Sequence, residues 1–198
     1  MDLYRSKGAI VGRLEPVVGV LAGAGVSADV VTLAAIPVAL VAALALVASP
    51  EVPALLLVVP LAATVRLVLN LIDGALARRT GRSHPRGELY NELADRLADV
   101  LMLAPVAFLP GAQRETVLLG VVGAVFASFA GLAPRAAGGE RIYRGVLSKP
   151  GRMVLLSVFS IAVLLLGPTA WWWFGPILLV GTALTALERI AIGVRRLP

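Results

Sequence analysis

Cysteine is absent from the 198 residues, and histidine occurs once, as His84. Disulfides, thiolate metal sites and a cysteine nucleophile are thereby excluded, and any metal must rest on oxygen ligands or on that one imidazole. Charge is scarce too, at 15% of residues against 59% hydrophobic, and the mean hydropathy is +0.90. This balance lies outside ordinary soluble composition and makes the bilayer the expected solvent. No apolar core followed by a cleavage signal occurs between Met1 and Glu15, where Asp2, Arg5, Lys7 and Arg13 stand instead. The segment therefore reads as retained in the mature chain and not as a secretory signal. The net charge of +6 comes from basic residues dispersed in short loops, so anionic lipid and phosphate are the expected partners and nucleic acid is not.

A spanning helix needs roughly 20 mostly apolar residues. Six stretches approach that length: Val30 to Val47, Pro53 to Ala77, Glu88 to Leu109, Glu115 to Leu132, Met153 to Leu166 and Ala170 to Ile192. The fifth reaches it only if flanking residues such as Arg152 and Gly167 join. Pro and Gly punctuate the gaps at Ser49-Pro50, Pro110-Gly111, Pro134 to Gly139, Pro150-Gly151 and Gly167-Pro168, and the short connections favour antiparallel neighbours. Leu3 to Ala24 mixes basic residues with Ile10, Val11, Leu14, Val17 and Val18; it reads either as a helix lying in the interface or as a plain cytoplasmic lead-in. The expected fold is all-α and polytopic: one membrane-embedded domain, with residues 1–28 as the interfacial segment and residues 29–198 as a six-helix bundle.

Positive charge orients the bundle. With the N-terminus in the cytoplasm, fifteen Lys and Arg residues in the loops and at the span ends face inward, and only Arg114 faces outward. The even number of spans brings the C-terminus to the same side, as expected for an inner (plasma) membrane protein. Trp171, Trp172 and Trp173 would then form an aromatic belt at the outer interface.

Ionisable groups within spans are costly and mark candidate sites. In the second span Arg66, Asn70, Asp73 and Ala77 are spaced four, three and four apart, on one helix face. In the third, Glu88, Glu92, Asp95 and Asp99 repeat with helical spacing, and Asn91 lies one turn before Asp95. Two such stripes can face each other. Carboxylates and amides offer hard oxygen ligands suited to Mg²⁺, Mn²⁺ or Ca²⁺, with Mg²⁺ the expected ion. In a dry site these carboxylates would repel strongly, so a metal or water must accompany them.

The order Asn70-Leu-Ile-Asp73-Gly74-Ala-Leu-Ala77-Arg78, a basic spacer, then Gly87-Glu-Leu-Tyr-Asn91-Glu-Leu-Ala-Asp95 resembles the signature of the CDP-alcohol phosphotransferases. That signature reads Asp-x-x-Asp-Gly-x-x-Ala-Arg, spacer, Gly-x-x-x-Asp-x-x-x-Asp. Asp73, Gly74, Ala77, Arg78, Gly87 and Asp95 match it, and Gly25 to Thr32 is similar to the family's entry into its first span. The resemblance covers most of the chain. It implies six spans, two Mg²⁺ or Mn²⁺ ions, and transfer of a phosphatidyl-type group from a CDP-alcohol such as CDP-diacylglycerol to a hydroxyl acceptor, with release of CMP, in phospholipid biosynthesis. It further implies Asp73 as the firmest metal ligand and Asp95 as both metal-associated and general base. Gly74, Ala77, Arg78 and Gly87 would serve the nucleotide, Gly74 by close backbone approach and Arg78 by its fork of donors.

Asn70 and Asn91 depart from the signature at its first and third aspartates. An amide carbonyl can ligate a hard cation but brings no charge, so divalent binding should weaken. Glu92 and Asp99 could complete a shifted ligand set with Asp73 and Asp95, or pair with Arg66 or Arg96 as buried ions. Lys149 and Arg152, at the entry of the fifth span, are the expected contacts for a phosphorylated acceptor. Arg135, Arg141, Arg144, Arg189 and Arg195 are further cations on that side, explained mostly by the positive-inside bias. Small residues Gly19, Gly23, Gly120, Ala124 and Ser128 permit close helix packing, and the family resemblance implies a homodimer. Two other readings stay open at this point: a family-derived protein that binds nucleotide or lipid without turnover, and a small transporter whose acidic stripes line an ion path.

Overall fold

The structure, a computed structural model, describes residues 3–81 and 84–197, with side chains from residue 12 onward. Arg5, Lys7, Ile10, Val11 and Arg82, used above for orientation and for the interfacial segment, lie outside the described side chains.

Helix α1 (Leu3–Gly23) turns at Gly25 into α2 (Ala28–Leu33), which Ser27 caps by accepting from the Val30 amide at 3.3 Å. Helix α3 (Ala35–Ala48) continues almost directly from it. A 3₁₀ turn at Pro53–Leu57 leads into α4 (Val58–Thr80), followed by α5 (Pro85–Leu103), a second 3₁₀ turn at Ala104–Phe108, and α6 (Arg114–Ala136). Helix α7 (Lys149–Leu166), a 3₁₀ turn at Pro168–Trp173 and α8 (Phe174–Arg196) complete the chain. All of this is helix and connection, as the patterning predicts for an all-α polytopic protein. Lys149 is the first residue of α7, so the fifth span gains its length at the N-terminal end, through Arg152.

Five segments are long and apolar enough to cross a membrane: Ala28–Ala48, Pro53–Thr80, Arg114–Ala136, Lys149–Leu166 and Pro168–Arg196. The sixth expected span, α5, is not among them. Glu88, Glu92, Asp95, Arg96 and Asp99 lower its hydropathy, and it stands in the bundle because other helices cover its charges. Alanines make that possible: Ala39, Ala42, Ala43 and Ala45 of α3 are buried, and this slim helix packs against both α4 and α5.

Termini of the elements follow local chemistry. Gly81 closes α4 at φ 63°, the left-handed cap conformation that glycine adopts without steric cost. His84 caps α5, its ring nitrogen Nδ1 accepting from the Gly87 amide at 2.9 Å, and Pro85 occupies the first helical position. A side chain at Gly111 would meet the Pro168 carbonyl at 2.3 Å, so only glycine lets these two turns touch.

The apolar core gathers Leu46, Val59, Met102, Leu103, Leu156, Phe174 and Leu178. Phe159, Trp171 and Phe174 pack ring against ring within it, with centroids 5.5 to 6.4 Å apart. Trp171 therefore departs from the expected aromatic belt: it is only 2% exposed, while Trp172 and Trp173 turn outward. Its position at the start of the last helical segment lets it fill the core beneath α7, and the 3₁₀ turn sends its two neighbours the other way. Gly120, Ala124 and Ser128 are buried inside the chain, with Gly120 facing Leu178 of α8. Gly120 of the small-residue stripe is thus used in α6–α8 packing. Leu44, Val47, Leu61, Phe129, Leu165, Leu187 and Val194 are exposed, the apolar exterior expected of a chain solvated by lipid.

Candidate active site

Asp73 lies on α4 and is 3% exposed. Its Oδ2 accepts from the Thr32 hydroxyl of α2 at 2.8 Å, while Oδ1 is buried with no hydrogen-bond partner among the described residues. An ionised carboxylate oxygen left without a donor is costly in a low-dielectric site, so the position calls for a cation or water. The oxygen's residue borders a cavity of about 470 Å³ together with Gly74, Ala77, Gly87, Glu88 and Asn91, and with Asp29 and Thr32 from the α2 side. The wall carries residues from both halves of the expected signature. Bare backbone at Gly74 meets only the Arg78 guanidinium, 3.4 Å from where a Cβ would stand, which keeps the cavity open beside the helix. Arg78 itself is exposed, with its charge over that rim.

The opposite wall was not anticipated. His84 Nε2 stands 3.3 Å from Asp29 Oδ2. Because Nδ1 already accepts from Gly87, Nε2 is the nitrogen that carries hydrogen, and it faces the carboxylate. A loop histidine with no assigned role thus braces the α5 start against α2. The only sequence signal was the polar pair Asp29 and Thr32 inside an otherwise apolar entry to the first span, one turn apart. A side chain on Gly87 would come within 2.8 Å of Asp29 Oδ1 and displace that carboxylate.

Asp95 belongs to a different environment. It is 8% exposed, and its Oδ1 accepts from Asn70 Nδ2 at 3.2 Å and from the Lys149 ammonium. Lys149 Nζ also donates to Asn70 Oδ1 at 2.6 Å, so one ammonium ties α7 to both α4 and α5. Arg66, completely buried, donates Nη2 to the Asp95 carbonyl at 2.8 Å and ion-pairs through Nη1 with Asp99 Oδ1 at 2.7 Å. Asp99 Oδ2 takes Arg152 Nη2 at 2.6 Å. Glu92 is gripped by Arg96 one turn along α5 and by Arg141 from the α6–α7 connection.

These placements bear on several expectations. Guanidinium groups occupy the oxygens of Glu92 and Asp99, the arrangement of the ion-pair alternative. Among the described residues, no group of three or more His, Asp or Glu side chains is arranged to hold a metal. Arg152 is no free acceptor contact: 1% exposed, it is held by Asp99 and by the Leu147 carbonyl. Arg189 is likewise committed, donating to the carbonyls of Ala127, Tyr143 and Arg144 at 2.7, 3.0 and 2.8 Å, which fixes the α6–α7 connection. Lys149 stands at the entry of α7 as expected, and its partners there are Asn70 and Asp95. Of the facing stripes, read from sequence as a possible ion path, the α5 acids Glu88, Glu92, Asp95 and Asp99 stand in ion pairs, while Asp73 of α4, among the described residues, does not.

What would a divalent cation find here? At Asp73 the donor set fits one: an unpartnered carboxylate oxygen with the Asn91 amide on the same cavity wall, both hard oxygen donors, and room for phosphate and water to complete the shell. At Asp95 a side-chain cation already fills the space between the oxygens.

No protein-family model matches the chain. It is 31% identical over 163 residues to the inner membrane protein YnbA of Escherichia coli K12, covering 82% of this chain and 81% of that protein. Archaetidylinositol phosphate synthase of Pyrococcus horikoshii is 26% identical over 93 residues, which are 47% of this chain and 50% of the synthase. The fold is that of the phosphatidylinositol phosphate synthase of Mycobacterium tuberculosis. Its complex with manganese and citrate superposes with a TM-score of 0.75 at 19% identity, covering 91% of this chain and 88% of the synthase. Its structure with CDP-DAG bound gives 0.65 at 23% identity, covering 92% and 90%.

Proposed function

The chain belongs to the CDP-alcohol phosphotransferase family, and from that premise we propose that it transfers a phosphatidyl-type group from a CDP-linked lipid, CDP-diacylglycerol first among them, to the hydroxyl of a small alcohol or alcohol phosphate. The observation that carries this reading is Asp73: a buried carboxylate with one oxygen unpartnered, beside the bare backbone of Gly74, in a cavity bordered by Ala77, Gly87 and Asn91. One divalent cation, Mg²⁺ by the hardness of its donors, would be held by Asp73 and Asn91. When bound it would neutralise diphosphate charge as that charge shifts to the leaving group.

The remaining work falls to the chain's own residues. Gly74 admits the nucleotide against α4, and Arg78 offers its donors to phosphate at the rim. The acceptor hydroxyl attacks the phosphorus on the lipid side; a bond forms from its oxygen to that phosphorus, and the bond to the bridging oxygen breaks. CMP departs with the electron pair. The hydroxyl proton passes to Asp95, whose Oδ2 has only Arg96 at 3.9 Å while Oδ1 is occupied. Lys149 and Arg66 hold Asp95 in place. Thr32 orients Asp73 in the same manner.

We place the protein in the inner membrane, with the cavity and both termini cytoplasmic, on the strength of the fifteen-to-one distribution of positive charge. The acceptor class, and whether two copies pair in the membrane, are matters for the assay and for cross-linking. A second reading, binding without turnover, is favoured by Asn70 and by the Lys149 grip on Asp95. Purified protein in lipid nanodiscs separates the two. With CDP-diacylglycerol, Mg²⁺ and a panel of glycerol phosphate, inositol phosphate and serine, CMP release that Asp95→Asn abolishes supports the transferase. Binding of CDP-diacylglycerol with no CMP from any acceptor supports the second reading.

A further inference from the structure

Around Glu92, Asp95 and Asp99 stand five cationic side chains: Arg66, Arg96, Arg141, Lys149 and Arg152. Three negative charges against five positive leave this side of the site with a net positive charge. A divalent cation added there would be repelled in a medium that screens poorly. The Asp73 side differs: Oδ1 is buried and unpartnered, and the Asn91 amide brings oxygen without charge to the same cavity.

Asn70 links the two sides. Its Nδ2 donates to Asp95 Oδ1 at 3.2 Å, which turns its Oδ1 toward Lys149 Nζ at 2.6 Å. Amide and ammonium are matched, donor to carboxylate and acceptor to cation. With aspartate at position 70 the same geometry would set two carboxylates against each other, a pair that a divalent ion could bridge and a single ammonium would only half neutralise. We propose that the Lys149 ammonium, seated between Asn70 and Asp95, takes the place of one metal ion, so that this site holds a single divalent cation, on the Asp73 side. The proposal deepens the transferase reading and rests on it, replacing the two ions expected from resemblance by one ion and one lysine. The lysine is a positioning residue: it orients Asp95 and supplies fixed positive charge that does not exchange with solvent ions.

Counting Mn²⁺ tests this without turnover. The protein in nanodiscs is titrated with Mn²⁺ and followed by electron paramagnetic resonance, where an isolated ion gives a six-line signal and a close pair a broadened one. Wild type should bind one isolated ion per chain, Asp73→Asn none, and Lys149→Arg still one. The Asn70→Asp/Lys149→Met double variant, checked as monodisperse by gel filtration, should bind two with broadening. Two ions in wild type, no ion in wild type, an ion that survives Asp73→Asn but not Asp95→Asn, or a folded double variant that still binds one would each overturn the proposal. A count of one without CMP release from any acceptor would sustain it while overturning the transferase reading.

Discussion

Asp73 and Asp95 are buried to nearly the same degree, 3% and 8% exposed, yet among the described residues only Asp95 is ion-paired. Asp73 has one hydroxyl donor, from Thr32, and an oxygen with no partner. Asp95 has an amide and an ammonium on one oxygen, Arg66 at 3.9 Å from that same oxygen, and Asp99 one turn along α5 held between two guanidinium groups. Burial alone therefore says nothing about which carboxylate is poised for a ligand; what matters is whether another element has already brought a cation. Helices α2 and α3 bring none to Asp73. Helix α7 brings two, Lys149 and Arg152, to the other side.

The comparison breaks most readily at its centre. Asp95→Asn keeps the hydrogen bond from Lys149 to a carbonyl but removes the proton acceptor, and CMP release should fall by about 10³-fold. Retained CDP-diacylglycerol affinity would mark the loss as chemical. If activity persists, Asp95 is not the base.

Next in size is the buried triad. Asp99→Ala leaves Arg66 and Arg152 without their shared counter-ion and should cost about 3–5 kcal/mol of stability, read as a lowered thermal midpoint in detergent. The triple replacement Arg66→Met, Asp99→Leu, Arg152→Met should recover much of that, because the desolvation cost of three ions disappears along with their attraction. Such recovery would separate a structural network from a catalytic one.

A smaller effect sharpens the other side. Thr32→Val removes the hydroxyl that orients Asp73 Oδ2 and should weaken Mn²⁺ binding by about 10-fold, measured by titration, with Asp95 untouched. The smallest belongs to the periphery: Arg144→Ala loses an ion pair with Glu188 in which Arg144 is 81% exposed, and stability should change by no more than roughly 0.5 kcal/mol. A larger shift would mean that the α6–α7 connection, held otherwise by Arg189, depends on this pair as well.

Much of the site was legible in the chain because helix periodicity is local. Spacings of three and four placed Asp73 with Asn70, and Asn91 with Asp95, on single faces, and the glycine between two polar turns marked where backbone is left bare. Thr32, Asp29 and His84 were not assigned to the site because the contacts that matter are long-range: Thr32 meets Asp73 across 41 residues of sequence. Lys149 and Arg152 stand at the entry of α7 as the sequence placed them, but their carboxylate partners could not be read there, since a basic residue near a span end reads the same whether it faces phosphate, lipid headgroups or a buried carboxylate. Trp171 shows the same limit in the core. Three consecutive tryptophans share one hydropathy signal, and only the 3₁₀ turn separates the one that packs on Phe159 and Phe174 from the two that face outward.

The amino-acid order alone determined that this chain dissolves in a bilayer, that its backbone is helical, and that its ionisable residues concentrate on two adjacent helices, because hydropathy, length and periodicity are properties of contiguous sequence. Which carboxylate stays open and which is neutralised was decided only by tertiary structure. Charge at a site is a sum over all the elements that converge there, and α7, more than fifty residues downstream of Asp95, contributes the cations that set the outcome.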